Sequence, residues 1–300
     1  MDALVIKNLS LAFRMYDGGL SRRYLKVISN MNITVREGEI LAVAGASGSG
    51  KSLLAHAILG VLPKNAVLDG EMRWFGETLT PALQKKLRGR ELALVPQSVT
   101  YLDPLMRVGR QVSRDERTVA ELFDRYHLKS DAARLYPHEL SGGMTRRILI
   151  SAALAGGPKI VIADEPTPGL SLHLAEHAMK HFREMADAGA AVLLITHDLG
   201  LAVRFADRIA VFYAGTAVET AGARDFADEK LLRHPYSRAL WRAMPQNSFT
   251  PTPGTQPYAG SLPAGCLYAP RCAMRTPECE AAPPASREVR GGEVSCLYAS

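Results

Sequence analysis

Gly45-Ala46-Ser47-Gly48-Ser49-Gly50-Lys51-Ser52 satisfies the pattern G-x-x-x-x-G-K-[ST] at every constrained position. The apolar run Ile40-Leu41-Ala42-Val43-Ala44 precedes it, and Leu53-Leu54-Ala55-His56-Ala57-Ile58-Leu59 follows with helical character. Glycines at these positions let successive backbone N–H groups turn toward one anion, and the start of the following helix adds positive potential. Lys51 is then placed to reach β- and γ-phosphates, and the Ser52 hydroxyl to ligate Mg²⁺. A plain glycine-rich turn before a helix competes with this reading, but the strand–loop–helix setting favours the phosphate loop. The pattern predicts a nucleoside triphosphate site formed by Gly45, Ser47, Gly48, Ser49, Gly50, Lys51, Ser52 and Leu53.

Outward from this loop, the texture is that of an α/β protein. Residues 4–11, 27–35, 72–75 and 92–96 read as strands, and 160–163 and 192–196 are short apolar runs of the kind that fill a buried parallel sheet. Residues 172–188 have the length and alanine content of a crossover helix, while 120–126 and 144–155 also read as helical. The span of about 98–157 is mostly helical and interrupts the strand–helix alternation, which predicts an inserted helical subdomain. After Met244 the texture changes: Pro245, Pro251, Pro253, Pro257 and Pro263 mark a linker, followed by a cysteine-bearing tail. The expected division is a nucleotide-binding domain over 1–244 and a linker with a Cys-rich extension over 245–300.

Composition narrows the class without deciding it. With 300 residues, 47% apolar and 22% charged, the chain holds a sizeable globular core. No apolar run approaches the ~20 residues that span a bilayer. Met1-Asp2-Ala3-Leu4 lacks the basic and apolar stretches of a signal peptide, so the expectation is a chain on the cytoplasmic side. A net charge of +6 raises nucleic acid as a partner, but the basic residues gather without interleaved aromatic platforms, which argues against it.

Two later motifs restrict what the phosphate loop does. Ile160-Val161-Ile162-Ala163-Asp164-Glu165 is an apolar strand ending in two carboxylates. Asp164 there suits the Mg²⁺ shell, and Glu165 suits general-base activation of water, a role worth typically 10²–10⁴-fold. Leu140-Ser141-Gly142-Gly143-Met144 opens a helix and makes a second anion cradle. One chain has no use for two cradles on one triphosphate, but two chains arranged head to tail do.

With these residues in order, the chain resembles the ATP-binding subunit of an ATP-binding cassette (ABC) transporter over about residues 4–240. The matching positions are the phosphate loop, Gln97 in Val95-Pro96-Gln97, the signature at Leu140 to Met144, Asp164-Glu165, and His197 in Ile195-Thr196-His197-Asp198. The resemblance implies a P-loop ABC ATPase core with ATP and Mg²⁺ as ligands. It implies that Gln97, Ser52 and Asp164 attend the Mg²⁺, that Glu165, His197 and Gln97 carry the catalytic roles, and that Ser141, Gly142 and Gly143 close on a partner's nucleotide. Adenine would stack on Phe13, with Tyr16 and Tyr24 as rivals. Ser171 departs from the pattern, since the family typically has an Asp there, and the helical insert is shorter than in relatives of this subfamily.

Cys266, Cys272, Cys279 and Cys296 all lie in the last 35 residues, spaced C-x₅-C-x₆-C-x₁₆-C. This is not the paired C-x₂-C geometry of a zinc ribbon. The tail, with the preceding His234-Pro235-Tyr236-Ser237, is similar to the extension of oligopeptide, dipeptide and nickel importer ATPases. That resemblance implies a [4Fe–4S] cluster on the four thiolates, with zinc, free thiols or disulfides as alternatives. It also implies cargo of peptides, nickel or a metal–chelator complex. The partners it implies are a second homologous ATPase, two transmembrane permeases and an extracytoplasmic binding protein, with the chain peripheral on the cytoplasmic face of the inner membrane. A soluble ABC ATPase acting on ribosomes or nucleic acid is the rival function, and a nucleotide-dependent redox or regulatory protein the third.

Overall fold

The computed structural model describes residues 1–16, 22–46 and 48–299. Two sheets meet around the phosphate loop. In the first, β1 (Asp2–Tyr16) runs antiparallel to β2 (Arg22–Arg36) and to β4 (Ala66–Trp74), and β4 carries the short β5 (Glu77–Thr78), giving the order β2-β1-β4-β5. In the second, β3 (Ile40–Ala44), β6 (Leu92–Val95), β7 (Ile160–Asp164), β8 (Ala191–Thr196) and β9 (Arg208–Tyr213) form a parallel core. β10 (Thr216–Gly222), β11 (Arg287–Val289) and β12 (Gly292–Val294) extend it antiparallel, in the order β11-β12-β10-β9-β3-β8-β7-β6.

Every residue of β3 and β7 is buried, as their unbroken apolar sequences require of strands covered on both faces. Alternation divides them between two cores. Ile40, Ala42, Ala44, Val161 and Ala163 face one cluster with Phe182 and Tyr213, whereas Leu41, Val43, Ile160 and Ile162 face the other with Leu54, Trp74 and Phe212.

The helices are α1 (Lys51–Leu59), α2 (Pro81–Leu87), α3 (Val108–Val112), α4 (Glu116–Arg125), α5 (Gly142–Leu154), α6 (Leu172–Asp187), α7 (Leu199–Phe205), α8 (Pro235–Arg242) and α9 (Pro277–Ala281). Between β6 and β7 the described chain is helices and 3-10 turns without a strand, which is the helical insertion the sequence suggests. α4 is started by Asp115, whose carboxylate accepts the N–H groups of Arg117 and Thr118.

The tail does not stand apart from the sheet. β12 pairs with β10 through Glu219↔Val294 and Thr220↔Glu293. Arg233 fastens this edge: its Nε donates to Val289 O at 2.6 Å, and its guanidinium meets the buried Glu219 at 3.3 Å and Asp225 at 2.7 Å. Among the described residues no helix is long and apolar enough to cross a membrane.

Candidate functional site

The phosphate loop leaves the carboxyl end of β3, an interior strand flanked by the parallel β9 and β8, and ligands of open α/β sheets bind at that end of the strands. Two of its glycines are fixed by geometry. A Cβ on Gly45 would stand 2.2 Å from Phe212 O, and Gly50 sits at φ +99° as the N-cap of α1. Ser47 lies outside the described residues; Gly48, Ser49, Lys51, Ser52 and Leu53 are all placed at the loop or the first turn of α1. Lys51 is buried, and its Nζ donates to Gly45 O and Ala46 O, both at 2.8 Å. Burial pulls its pKa down, and the charges of Glu165 and Asp164 pull it back up.

Asp164 and Glu165 end β7 beside this lysine. Burial pushes the Asp164 carboxyl up, the facing Ser52 hydroxyl draws it down, and the Glu165 charge adds to the upward push. Glu165 is held at φ +48°, an unfavourable conformation for a side-chain-bearing residue, with its N–H on Ile195 O at 2.9 Å. His197 follows β8, and its Nδ1 lies 2.8 Å from Glu165 Oε2. This is a charge-pair distance without hydrogen-bond alignment, because the same oxygen has no hydrogen-bond donor. Ser49 Oγ and Asp164 Oδ1 are likewise buried and unpaired. Three orphaned oxygens beside a buried lysine are what a bound Mg²⁺–triphosphate would satisfy, so these residues fit that ligand.

Gln97 is exposed just beyond β6, and its backbone is gripped from the signature helix. Arg146 on α5 donates to Pro96 O at 2.7 Å and Gln97 O at 2.6 Å. The sequence reading missed Arg146; nothing in Thr145-Arg146-Arg147 says which arginine turns inward. Ser141 caps α5 by accepting the Met144 N–H at 3.3 Å. A Cβ on Gly142 would meet nothing within 4 Å, and one on Gly143 only Gly169 O at 3.7 Å. The signature glycines are therefore not demanded by packing within this chain.

Phe13 is half-buried on β1 against the second core, paired with Leu25 and Ala66, while Tyr16 and Tyr24 are 66% and 58% exposed. Ser171 is the N-cap of α6 without a side-chain hydrogen bond. The four cysteines line one small pocket with His234, Tyr268, Met274 and Leu297. Burial pushes the thiols of Cys266, Cys272 and Cys296 up, and neighbouring cysteines add to it. Among the described residues no group of three or more His, Cys, Asp or Glu side chains is arranged to hold a metal ion.

A phosphate loop on a central parallel strand, a terminal carboxylate pair on its neighbour and a helical insertion opening on a Ser-Gly-Gly helix start define a nucleotide-hydrolysing cassette of the ABC class. The comparisons agree. Residues 28–168 match the family described as ABC transporter, and 218–279 the oligopeptide/dipeptide transporter C-terminal region. A Brucella abortus protein, provisionally named a peptide import ATP-binding protein, is 38% identical across 92% of this chain and 89% of its own. The oligopeptide transport ATP-binding protein OppD of Escherichia coli is 33% identical across 99% and 93%. A dimeric bacterial ABC transporter cassette of known structure superposes with a TM-score of 0.65 at 26% identity, covering 74% of this chain and 99% of that one. A further dimeric cassette, in a post-hydrolysis state bound to ADP and Pi, gives 0.64 at 26%, covering 74% and 99%. The chain belongs to the ABC transporter family and is an ABC-type ATPase carrying the oligopeptide/dipeptide C-terminal region.

Proposed function

We propose that this chain is the ATP-hydrolysing subunit of a peptide importer, working as one half of a head-to-tail ATPase pair. The observation that carries the pairing is the signature itself: a Cβ on Gly142 would meet nothing within 4 Å and one on Gly143 only Gly169 O at 3.7 Å, so neither glycine is required by this chain's own packing, as fits a surface closing on another subunit's nucleotide. Residues 1–244 form the nucleotide-binding domain, with about 98–157 as its helical subdomain, and 245–300 the extension.

In this reading Gly45 and Ser47 to Leu53 cradle the phosphates, and Phe13, or its rivals Tyr16 and Tyr24, takes the adenine. Ser52, Gln97 and Asp164 hold the Mg²⁺, which neutralises charge on the phosphate oxygens when bound. Glu165 accepts the proton of the attacking water, and His197 orients that water beside the γ-phosphate. Closure by Ser141, Gly142 and Gly143 of the other subunit excludes bulk water, and cleavage of the γ-phosphate lets the pair reopen.

The partners are a second homologous ATPase, two permeases and an extracytoplasmic binding protein, with this chain peripheral on the cytoplasmic face of the inner membrane. Exposed Val99, Tyr101, Leu105 and Met106, just beyond Gln97, supply an apolar face for a permease, with Leu105 87% exposed. Peptide cargo is supported by the named relatives; nickel or a metal–chelator complex is the alternative cargo. Whole-chain similarity to transport ATPases disfavours a ribosomal or nucleic-acid role.

For the four-cysteine pocket the reading is a [4Fe–4S] cluster; it rests on the four cysteines lining one cavity, whose thiols are not gathered into a metal-holding group among the described residues. Anaerobic purification with iron and sulfide analysis tests it, and colourless zinc-bearing protein defeats it. The function is tested by reconstituting the chain with its companion ATPase and permeases and measuring peptide and nickel uptake. Substituting Gly143→Asp in both signatures abolishes hydrolysis; full-speed hydrolysis in that double variant ends the paired-site reading.

A further inference from the structure

We propose that the linker at Gln256 to Gly260 forms the outer wall of the adenine slot, with Tyr258 as a base-contacting residue that the extension supplies to the nucleotide site. The inference rests on the reading of Phe13 as the adenine platform and of residues 45–52 as the triphosphate cradle.

Strand register divides the aromatic candidates by face. Phe13 stands opposite Leu25 and Met15 opposite Arg23, while Arg14 stands opposite Tyr24 and Tyr16 opposite Arg22. Directly opposed residues of an antiparallel pair share a face, and neighbours along a strand alternate. Phe13, Met15, Arg23 and Leu25 therefore lie on one face of the β1–β2 pair, and Tyr16 and Tyr24 on the other. The face of Phe13 is the one turned toward the phosphate loop. Phe13 packs on the same core cluster as Val27 and Leu53 of α1, and the Val27 carbonyl oxygen lies 3.1 Å from where a Cβ on Gly50 would stand.

The linker reaches this same face. Arg23 Nη2 donates to the Tyr258 hydroxyl at 3.5 Å, and Tyr258 O accepts the Ser261 N–H at 2.9 Å, closing a turn beside the guanidinium. A Cβ on Gly260 would overlap the Tyr258 ring and stand 2.9 Å from Arg23 Nη2, so the close approach needs a glycine there. Upstream the linker is pinned a second time: Arg271 Nε donates to Pro253 O at 2.8 Å and its Nη2 to Thr252 O at 3.2 Å. Between the two anchors, Gln256 Oε1 is buried without a donor. Tyr258 itself is 64% exposed, a ring fixed by its hydroxyl at the rim of the Phe13 face. An adenine satisfies both features, because its face stacks on the ring and its exocyclic amine supplies the donor. Guanine presents a carbonyl in place of that amine, which an amide oxygen repels.

The test is Tyr258→Ala in the full chain, with Phe13→Ala and Lys51→Ala alongside. Calorimetry without turnover measures the Kd of Mg²⁺–ATP, Mg²⁺–GTP and Mg²⁺–tripolyphosphate, the last of which has no base. Tyr258→Ala is expected to weaken ATP about five-fold, the low end for a base stacked on an aromatic side chain, and to leave tripolyphosphate unchanged. Gln256→Leu is expected to narrow the preference for ATP over GTP about five-fold, the net worth of one hydrogen bond. Equal losses for ATP and tripolyphosphate in Tyr258→Ala would mark a general loosening and overturn the proposal. Wild-type ATP affinity in Tyr258→Ala, with affinity lost in Phe13→Ala, overturns it and leaves the Phe13 reading standing. If Phe13→Ala also binds ATP normally while Lys51→Ala does not, the adenine reading falls with it and the phosphate cradle remains.

Discussion

Arg146 Nη2 donates to Gln97 O at 2.6 Å, tying the signature helix α5 to the segment that leaves β6. The second branch of the same guanidinium takes Pro96 O, so one buried side chain holds two consecutive carbonyls. The helical insertion therefore cannot shift without moving Gln97. Burial lowers the Arg146 pKa, and the Asp164 and Glu165 charges oppose that shift.

Arg146→Met keeps much of the apolar stem and removes both donors. We expect hydrolysis to fall at least ten-fold with Mg²⁺–ATP affinity retained. Stability should drop by roughly 1–3 kcal/mol for each buried carbonyl left without a partner. Steady-state kinetics with a denaturant titration measures both, and a variant with full turnover would show that the tie is dispensable.

Glu165→Gln keeps the volume and removes the basic oxygen. Since Glu165 lies beside His197 and is 6% exposed, no exposed carboxylate can take over in the closed site. The expected variant binds ATP, hydrolyses it at a small fraction of the normal rate, and stays paired with its companion longer. Size-exclusion chromatography with ATP reads the last effect; near-normal turnover would remove Glu165 from its role.

Much of this site was legible in sequence because its residues are local. Gly45 to Ser52 is one continuous loop, and the apolar runs of β3, β7 and β8 announce a buried parallel core. Strand limits were less legible: β1 continues to Tyr16, past its clear alternation, because pairing with β2 and β4 sustains it. What the sequence hid is contact across distance. Arg146 to Gln97 spans 49 positions, and the closure of the tail onto β10 spans about 75. Neither leaves a local pattern, and the two-residue partnership at Glu219 and Thr220 is too short for any periodicity to mark.

Asp164 predicts a trade between stability and function. Its folded pKa is raised above the ordinary 3.8, mainly by burial, so the protein favours the protonated acid. The stability it contributes is full below that ordinary value and is lost as pH rises through the folded value. At neutral pH the ionised group therefore weighs against the nucleotide-free fold. Asp164→Asn should raise the melting temperature of nucleotide-free protein at pH 7.5 while abolishing Mg²⁺-dependent hydrolysis. An unchanged or lower melting temperature by calorimetry would contradict the assigned cost.

Acid sensitivity follows from two buried histidines, His181 and His234. Burial lowers the pKa of His181 from 6.5 to about 4 and that of His234 to about 3. Both are neutral in the fold: His181 Nδ1 accepts the Tyr126 hydroxyl, and His234 Nδ1 accepts the Tyr236 N–H. For a depressed pKa the stabilising contribution is complete above the unfolded value and drains away as pH falls toward the folded one. Below pH 6.5 each histidine thus withdraws stability as pH falls, on the order of 1 kcal/mol per pH unit, until its own folded pKa is reached. His181→Gln offers a neutral acceptor that does not titrate, so the melting temperature should fall less steeply between pH 6.5 and 4 than in the parent. Thermal scans across that interval decide the matter, because parallel slopes in parent and variant would mean that His181 takes up its proton without opposing the fold.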